Sequence, residues 1–217
     1  MSLNNSKPNY HYLDNQADHT WIILSGWATL GMFIVKPIKH SNMLFISDYN
    51  PYNLAETVDD WFKRYAITKF SIMGFSLGAL WLSQSLNRFD QAKNIVFTGI
   101  RSSYTATQIA TLKKGLEAGD SSVLYSFWGN CKAFFKNEDP FLRAHTQFEW
   151  DYSRLLLGLQ YLVTFSFEWP VSGTNITFFH GQLDRIAPLS ELTLRENYDF
   201  RIIKRSGHIC MPVLDDL

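Results

Sequence analysis

The stretch that decides the fold is Phe70-Ser71-Ile72-Met73-Gly74-Phe75-Ser76-Leu77-Gly78. Residues 70–73 form a short apolar run typical of a buried strand, and residues 77–89 repeat apolar side chains at helical spacing. The pattern Gly-x-Ser-x-Gly therefore lies at a predicted turn from a strand into a helix. Such a turn holds its serine in a strained backbone conformation, with the hydroxyl at the positive end of the helix dipole. This context predicts that Ser76 is a nucleophile.

Short apolar runs bounded by turn signals recur on both sides of this motif. They lie at residues 21–24, 43–46, 70–73, 95–98, 176–179 and 200–203. Helical periodicity separates some of them, at residues 54–65 and 77–89. Strands that are apolar on both faces and alternate with helices are typical of a parallel sheet covered by helices. The sequence therefore predicts an α/β fold, with a mostly parallel sheet flanked by helices.

Residues 102–169 break this alternation, because they show helical patterning without a convincing strand. We interpret them as a helical cap inserted between two strands of a single domain that spans residues 1–217. The insertion is rich in aromatic residues, namely Phe127, Trp128, Phe134, Phe135, Phe141, Phe148, Trp150 and Tyr161. These rings could fill a local core, or together help to line an apolar substrate pocket.

A serine hydroxyl needs a base, which in this kind of fold is a histidine held by a carboxylate, in the chain order Ser, Asp/Glu, His. His208 follows the last predicted strand, and Asp184 follows the strand at residues 176–179. His180 is the one serious rival as the base. Its alternative interpretation is a strand-end residue that packs or hydrogen-bonds beside the site. The order and positions favour a triad of Ser76, Asp184 and His208.

Acyl transfer also requires backbone N–H groups that stabilise the oxyanion of the tetrahedral intermediate. The residue after the nucleophile, Leu77, is the first predicted donor. The second is Trp27, in the loop Leu-Ser-Gly-Trp-Ala at residues 24–28, where Gly26 frees the backbone to turn.

Composition excludes several other classes of protein. The chain has 20 basic and 20 acidic residues, so it carries no net charge that would attract nucleic acid or an anionic membrane. Cys131 and Cys210 cannot form a disulfide framework, and no zinc spacing or phosphate-binding loop is present. We therefore expect no metal and no cofactor. The polar first twenty residues do not resemble a secretory signal, and no apolar run is long enough to span a membrane. A cytoplasmic location is expected.

Taken together, these residues resemble the α/β-hydrolase superfamily, and more narrowly the pimeloyl-acyl carrier protein methyl ester carboxylesterases of biotin synthesis. The most specific motifs are Leu-Ser-Gly-Trp at 24–27, Gly-Phe-Ser-Leu-Gly at 74–78, Gly-Gln-Leu-Asp-Arg-Ile-Ala-Pro at 181–188 and Gly-His at 207–208. Residues 155–162, which lead into Trp169 and Pro170, also resemble that family's exit from the cap. The resemblance implies the triad and oxyanion donors given above. It also implies cleavage of the methyl ester of a pimeloyl chain on acyl carrier protein, which releases methanol.

Two features depart from this resemblance. Ser25 stands where many superfamily members have a histidine, and the insertion carries six basic against seven acidic residues. A docking surface for an acidic carrier protein would need the basic residues gathered on one face. Two other functions stay open: a general short-chain carboxylesterase or acyl thioesterase with the same triad, and a catalytically silent binding module of this fold.

Overall fold

A computed structural model of the chain describes residues 9–36, 38–132, 139–171, 175–192, 197–214 and 217. The strands in these ranges are β1 Asn9–Leu13, β2 Thr20–Leu24, β3 Asn42–Ser47, β4 Phe70–Phe75, β5 Ile95–Thr98, β6 Ile176–Gly181 and β7 Asp199–Ile203. They form one sheet in the order β1-β3-β2-β4-β5-β6-β7. β1 pairs with β3 in the antiparallel direction, and all other pairs are parallel.

Six of these strands confirm the apolar runs predicted from the sequence, and β1 is the strand that the prediction missed. β1 lies at the edge of the sheet, and its Asn9 and His11 side chains are exposed. Its tyrosines turn toward α1 (Leu54–Arg64) and the residue after it. Tyr10 packs on Trp61 with ring centres 5.1 Å apart, and Tyr12 stacks on Tyr65 at 4.2 Å. Because only one face of β1 is covered, its sequence is too polar to be recognised as a buried strand.

Helices cover the sheet, and the described ones after α1 are α2 Leu77–Gln84, α3 Ala106–Glu117, α4 Ser122–Cys131, α5 Pro140–Gln147 and α6 Tyr152–Thr164. α2 ends sooner than the periodicity predicts, and a short 3-10 helix, Leu86–Arg88, follows it. Phe89 still packs into the core, which explains why the apolar spacing continues beyond the end of the α-helix. Every residue of β2, β3 and β4 is buried, as expected for parallel strands that are covered on both faces.

Helices α3 to α6 all lie between β5 and β6, in the region predicted to be an insertion. The backbone N–H of Phe167 donates to the carbonyl of Ser102 over 2.9 Å, so the chain leaves and re-enters the sheet region at one place. This contact supports the interpretation of residues 102–169 as a cap, whose exact limits stay a prediction. Of the aromatic residues predicted for the cap, Phe134 and Phe135 lie outside the described residues.

Candidate active site

Ser76 connects β4 to α2 and has a backbone conformation that side-chain-bearing residues rarely adopt. Its φ is 53° and its ψ is −110°. The flanking hydrogen bonds hold it there: Ser76 N–H donates to the Thr98 carbonyl of β5, and Leu80 N–H donates to the Ser76 carbonyl, each over 2.9 Å. A strained residue of this kind persists only where its surroundings over-determine it, and such residues cluster at functional sites. The predicted strand–turn–helix context of Ser76 is therefore present.

The two glycines that flank the turn allow the close packing on which it depends. A Cβ atom on Gly78 would lie 2.4 Å from the Leu24 carbonyl oxygen, and one on Gly74 would lie 2.6 Å from the Gly78 carbonyl oxygen. Both contacts are with backbone, which cannot move away as a flexible side chain could. The glycines thus let α2 start directly against the ends of β2 and β4.

Asp184 and His208 meet at the carboxyl end of two neighbouring strands, since Asp184 follows β6 and His208 follows β7. His208 Nδ1 lies 2.7 Å from Asp184 Oδ2, and both side chains are buried. His208 Nε2 is also buried, and no hydrogen-bond partner for it is found among the described residues. The imidazole packs against Phe75, the residue before Ser76, with ring centres 4.8 Å apart. The Nδ1 atom of the ring is thus held by a carboxylate, while the Nε2 atom has no hydrogen-bond partner among the described residues.

The environment of Asp184 favours its ionised form. Its Oδ1 atom accepts the backbone N–H groups of Ile186 and Ala187, each over 2.8 Å. Burial on its own would raise the pKa of Asp184. The charge and hydrogen bond of His208, helped by the Ala187 N–H, outweigh that effect and hold the pKa below its ordinary value. The surroundings of Asp184 therefore favour a carboxylate within hydrogen-bonding distance of His208 Nδ1.

His180, the rival base, lies at the end of β6 and is fully buried. Its Nε2 atom lies 2.8 Å from the Ala187 carbonyl and 3.6 Å from Asp184 Oδ2. Burial lowers the pKa of His180, which favours the neutral ring, and a proton on Nε2 is donated to the Ala187 carbonyl. These contacts fit the alternative interpretation of His180 as a residue that supports the loop beside the site.

The loop after β2 packs directly against the turn that contains Ser76. A Cβ on Gly26 would lie 2.9 Å from the Ser76 Cβ, so this glycine permits the approach. The Trp27 indole N–H donates to the Leu155 carbonyl of α6 over 2.8 Å, which fixes the side chain and ties the loop to the cap. Ser25 is fully buried, and its carbonyl accepts the Tyr49 hydroxyl over 2.7 Å. The assignment of the Trp27 and Leu77 N–H groups as oxyanion donors stays a prediction.

A cavity of about 250 Å³ opens beside Ser76. It is lined by Trp27, Ser76, Arg101, Tyr104, Gln108, Ile109, Leu112, Phe127, Leu159, Leu162, Arg185 and Ile186. Its cap wall is mostly aliphatic, with side chains from α3 and α6. Among the described aromatic residues that were predicted for the cap, Phe127 alone lines this cavity, and it packs edge-on against Trp27 at 4.8 Å.

Most of the remaining cap aromatics fill a local core around His145, as the first of the two interpretations proposed. His145 is fully buried, accepts the Leu30 N–H over 3.0 Å, and lies 2.7 Å from the Phe141 carbonyl. Burial lowers its pKa to about 4, so the ring stays neutral. Trp128 packs on His145, and its indole N–H donates to the Ala28 carbonyl over 2.7 Å. This cluster joins the cap to the loop after β2.

The cavity is also lined by Arg101, Tyr104 and Arg185, for none of which the sequence predicted a functional role. Arg101 and Tyr104 follow β5 closely, and Arg185 follows Asp184. Their position at the carboxyl edge of the sheet, where open α/β sheets bind ligands, is the signal that could have identified them.

Two absences among the described residues concern metal binding and membrane spanning. These residues contain no group of three or more His, Cys, Asp or Glu side chains arranged to hold a metal ion. Within the same part of the chain, none of the helices combines the length and apolar character needed to cross a membrane.

Comparison with known proteins shows similarity in structure without similarity in sequence. No protein-family model and no curated protein matches the chain. Solved structures match over nearly its whole length. An esterase from Exiguobacterium antarcticum is 13% identical with a TM-score of 0.76, and the match covers 93% of this chain and 88% of that one.

Two further structures match to a similar extent. An α/β-hydrolase enzyme from a Medee basin deep-sea metagenome is 14% identical with a TM-score of 0.68, over 94% of this chain and 88% of that one. BioG from Haemophilus influenzae is 14% identical with a TM-score of 0.64, over 96% of this chain and 99% of that one. The chain therefore has the α/β-hydrolase fold, which confirms the fold predicted from the sequence.

Proposed function

We propose that this chain, which has the α/β-hydrolase fold, is a carboxylic ester hydrolase. In this proposal Ser76 is the nucleophile, His208 the general base and acid, and Asp184 the residue that orients the imidazole. The observation that carries it is the 2.7 Å contact between His208 Nδ1 and Asp184 Oδ2, with the opposite nitrogen of the ring left without a partner among the described residues. Ser76 follows Phe75, whose ring packs on the imidazole, and in this proposal its hydroxyl is the group on which that nitrogen acts.

The reaction proceeds in two acyl-transfer steps. His208 Nε2 takes the proton from Ser76 Oγ as the oxygen attacks the ester carbonyl, and the N–H groups of Trp27 and Leu77 stabilise the oxyanion. Collapse of this intermediate expels the alcohol, which receives the proton from His208 and leaves an acyl-serine. His208 then activates a water molecule, whose attack releases the acid and restores Ser76. Asp184 stays ionised throughout, because its N–H donors and the imidazolium favour the charged form.

The cavity supports an ester with an apolar acyl chain. The cap wall of the cavity is aliphatic, with Ile109 and Leu112 from α3 and Leu159 and Leu162 from α6. These four side chains are uncharged, so they can bind a hydrocarbon chain. Buried apolar surface contributes about 25 cal/mol per Å², so each methylene that enters adds about 0.8 kcal/mol to binding. The sequence motifs imply a pimeloyl methyl ester on acyl carrier protein as the substrate. The methylene groups of its pimeloyl chain are the apolar part that this wall would bind.

An acidic carrier protein would need a basic surface on the cap. Basic residues of the cap would have to attract an acidic partner, yet several of them are already paired with acids. These pairs are Lys113 with Glu117, Lys132 with Asp139, and Arg154 with Asp48. The same triad in a general short-chain carboxylesterase or acyl thioesterase is therefore the second candidate. A cytoplasmic location remains part of the proposal.

The experiment that separates these functions compares three substrates with the purified chain: a pimeloyl-carrier methyl ester, free methyl esters of the same acid, and the matching thioesters. The proposed function predicts the highest kcat/KM for the carrier-bound methyl ester, and rescue by this gene of a bacterial strain that lacks its biotin-pathway esterase. Equal rates on free and carrier-bound esters, without rescue despite expression, would favour the general esterase. Absence of turnover on all three, and of labelling by a fluorophosphonate probe, would indicate a silent module.

A further inference from the structure

Arg101 follows β5 and makes three contacts that join the two walls of the cavity. Its Nη1 group donates to the Ile186 carbonyl over 2.9 Å, and its Nη2 group pairs with Glu191. The guanidinium carbon lies 4.9 Å from the centre of the Tyr104 ring. The Arg101 side chain is only 10% exposed, whereas that of Glu191 is 45% exposed. Ile186 and Glu191 belong to the connection after β6 that carries Asp184, whereas Tyr104 lies in the connection after β5.

The hydrogen bond from Arg101 to Ile186 is connected to Asp184 through one peptide group. The carbonyl of Ile186 and the N–H of Ala187 are the two ends of one peptide group. That peptide accepts a hydrogen bond from Arg101 at its oxygen and donates one to Asp184 Oδ1 at its nitrogen, over 2.8 Å. A peptide whose oxygen is bound by a cation is a stronger donor at its nitrogen, because hydrogen bonds in a chain polarise one another. The geometry therefore couples the guanidinium to the carboxylate through a single planar unit.

We infer that Arg101 is a positioning residue, which acts through the Ile186–Ala187 peptide to fix Asp184 and, through it, the His208 imidazole. This inference rests on the proposed function for its kinetic consequences, whereas the geometry it predicts for His208 can be tested without any turnover. Arginine suits the role because its planar fork supplies two donors at once and its face stacks on Tyr104. A lysine could keep the charge but could not maintain all three contacts.

The test uses the full-length chain with Arg101→Met and Arg101→Lys, and with Arg201→Met as a matched control. Arg201 also pairs with a carboxylate, that of Asp199, and lies 5.5 Å from the ring of Phe179, but it is an exposed residue of β7. The first readout is the downfield proton resonance of His208 Nδ1–H, assigned by its loss in His208→Gln. The second is kcat/KM for a p-nitrophenyl ester, corrected for the fraction of folded protein.

We expect the His208 resonance to move upfield or broaden beyond detection in Arg101→Met, and kcat/KM to fall about tenfold with KM within about twofold, which is the scale of one charge-assisted hydrogen bond. For both readouts, Arg101→Lys should give values between those of wild type and Arg101→Met. If Arg101→Met does not fold, the comparison of Arg101→Lys with wild type is the test. Arg201→Met should leave both readouts unchanged. An unmoved resonance in the Arg101 variants would overturn the inference, even if their activity fell. A resonance that moves in a chain without esterase activity would support the inference and refute the proposed function.

Discussion

His208 Nδ1 lies 2.7 Å from Asp184 Oδ2 because the two residues follow β6 and β7, which are adjacent and parallel. Parallel strands end at the same edge of the sheet, so their following loops meet there. Gly181 allows the loops to touch: a Cβ at this position would lie 1.9 Å from the Gly207 carbonyl oxygen. Asp184 and His208, which are 24 positions apart in sequence, are thus brought together by the sheet itself.

Asp184→Asn should lower kcat by about 10³- to 10⁴-fold with little change in KM, because an amide can hold the imidazole in the wrong tautomer. The measurement is steady-state hydrolysis of a p-nitrophenyl ester at constant pH. Asp199→Asn, which changes an exposed carboxylate on β7, is the control and should retain activity. A loss of less than tenfold in Asp184→Asn would show that Asp184 does not orient the base.

Gly181→Ala should destabilise the fold by at least about 2 kcal/mol, because the new methyl group must displace the backbone of Gly207. Gly129→Ala is the matched control. Gly129 lies in α4, and a Cβ there would meet no atom within 4 Å. This second change should stabilise the fold by about 0.5–1 kcal/mol through helix propensity. Urea unfolding of the three proteins measures both effects, and equal midpoints for the two variants would contradict the packing described here.

Asp48 should make the fold less stable as the pH rises from about 4 to about 7. Its Oδ2 atom lies 2.9 Å from Arg154 Nη2, yet burial outweighs that attraction and raises the pKa of Asp48 to about 6. The folded state therefore binds a proton more tightly than the unfolded chain, so the stabilisation is complete below the unfolded pKa and is lost as the pH passes through 6. The loss reaches at most about 3 kcal/mol.

The measurement for Asp48 is the free energy of unfolding of wild type and Asp48→Asn between pH 4 and pH 7.5. The difference between the two proteins should change across this interval, with wild type losing stability relative to the variant. Parallel curves would show that Asp48 titrates near its ordinary value in the folded chain.

Leu112→Trp should shorten the acyl chain that the enzyme accepts, since Leu112 lines the cavity of about 250 Å³ beside Ser76. We expect KM to rise at least tenfold for p-nitrophenyl octanoate and to change little for the acetate. Leu157→Trp is the control, because Leu157 lines a separate groove between α3 and α6. The same loss for both esters, or an equal effect of the control, would mean that the acyl chain does not bind in this cavity.

The sequence predicted those parts of the structure in which only one kind of residue fits a given position. Five of the six predicted strands are fully buried and have the continuous apolar runs that such strands need, whereas the sixth, β7, is a largely exposed edge strand. The tight packing of α2 on β4 needs Gly74 and Gly78. β1 could not be recognised because it is a half-covered edge strand with polar residues. The roles of Arg101 and Tyr104 also escaped prediction. They depend on contacts across the cavity, and neither residue type has a fixed spacing from Asp184 that a motif could reveal.

Which of the cap aromatic residues line the cavity could not be predicted from the sequence, for a similar reason. Aromatic residues cluster in the cap, but sequence spacing does not say which of them face the cavity. Trp128 and Phe141 pack around His145, whereas aliphatic residues of α3 and α6 line most of the cap wall. Only the three-dimensional arrangement of the helices separates the two sets.

The central claim, that Ser76 is the nucleophile, is tested most directly by labelling the chain with a fluorophosphonate and locating the adduct by mass spectrometry. The account predicts one adduct on Ser76, no labelling and at least about a thousandfold loss of ester hydrolysis in Ser76→Ala, and unchanged behaviour in Ser103→Ala, which alters an exposed serine. Turnover near the wild-type rate in Ser76→Ala, or an adduct on another residue, would contradict it.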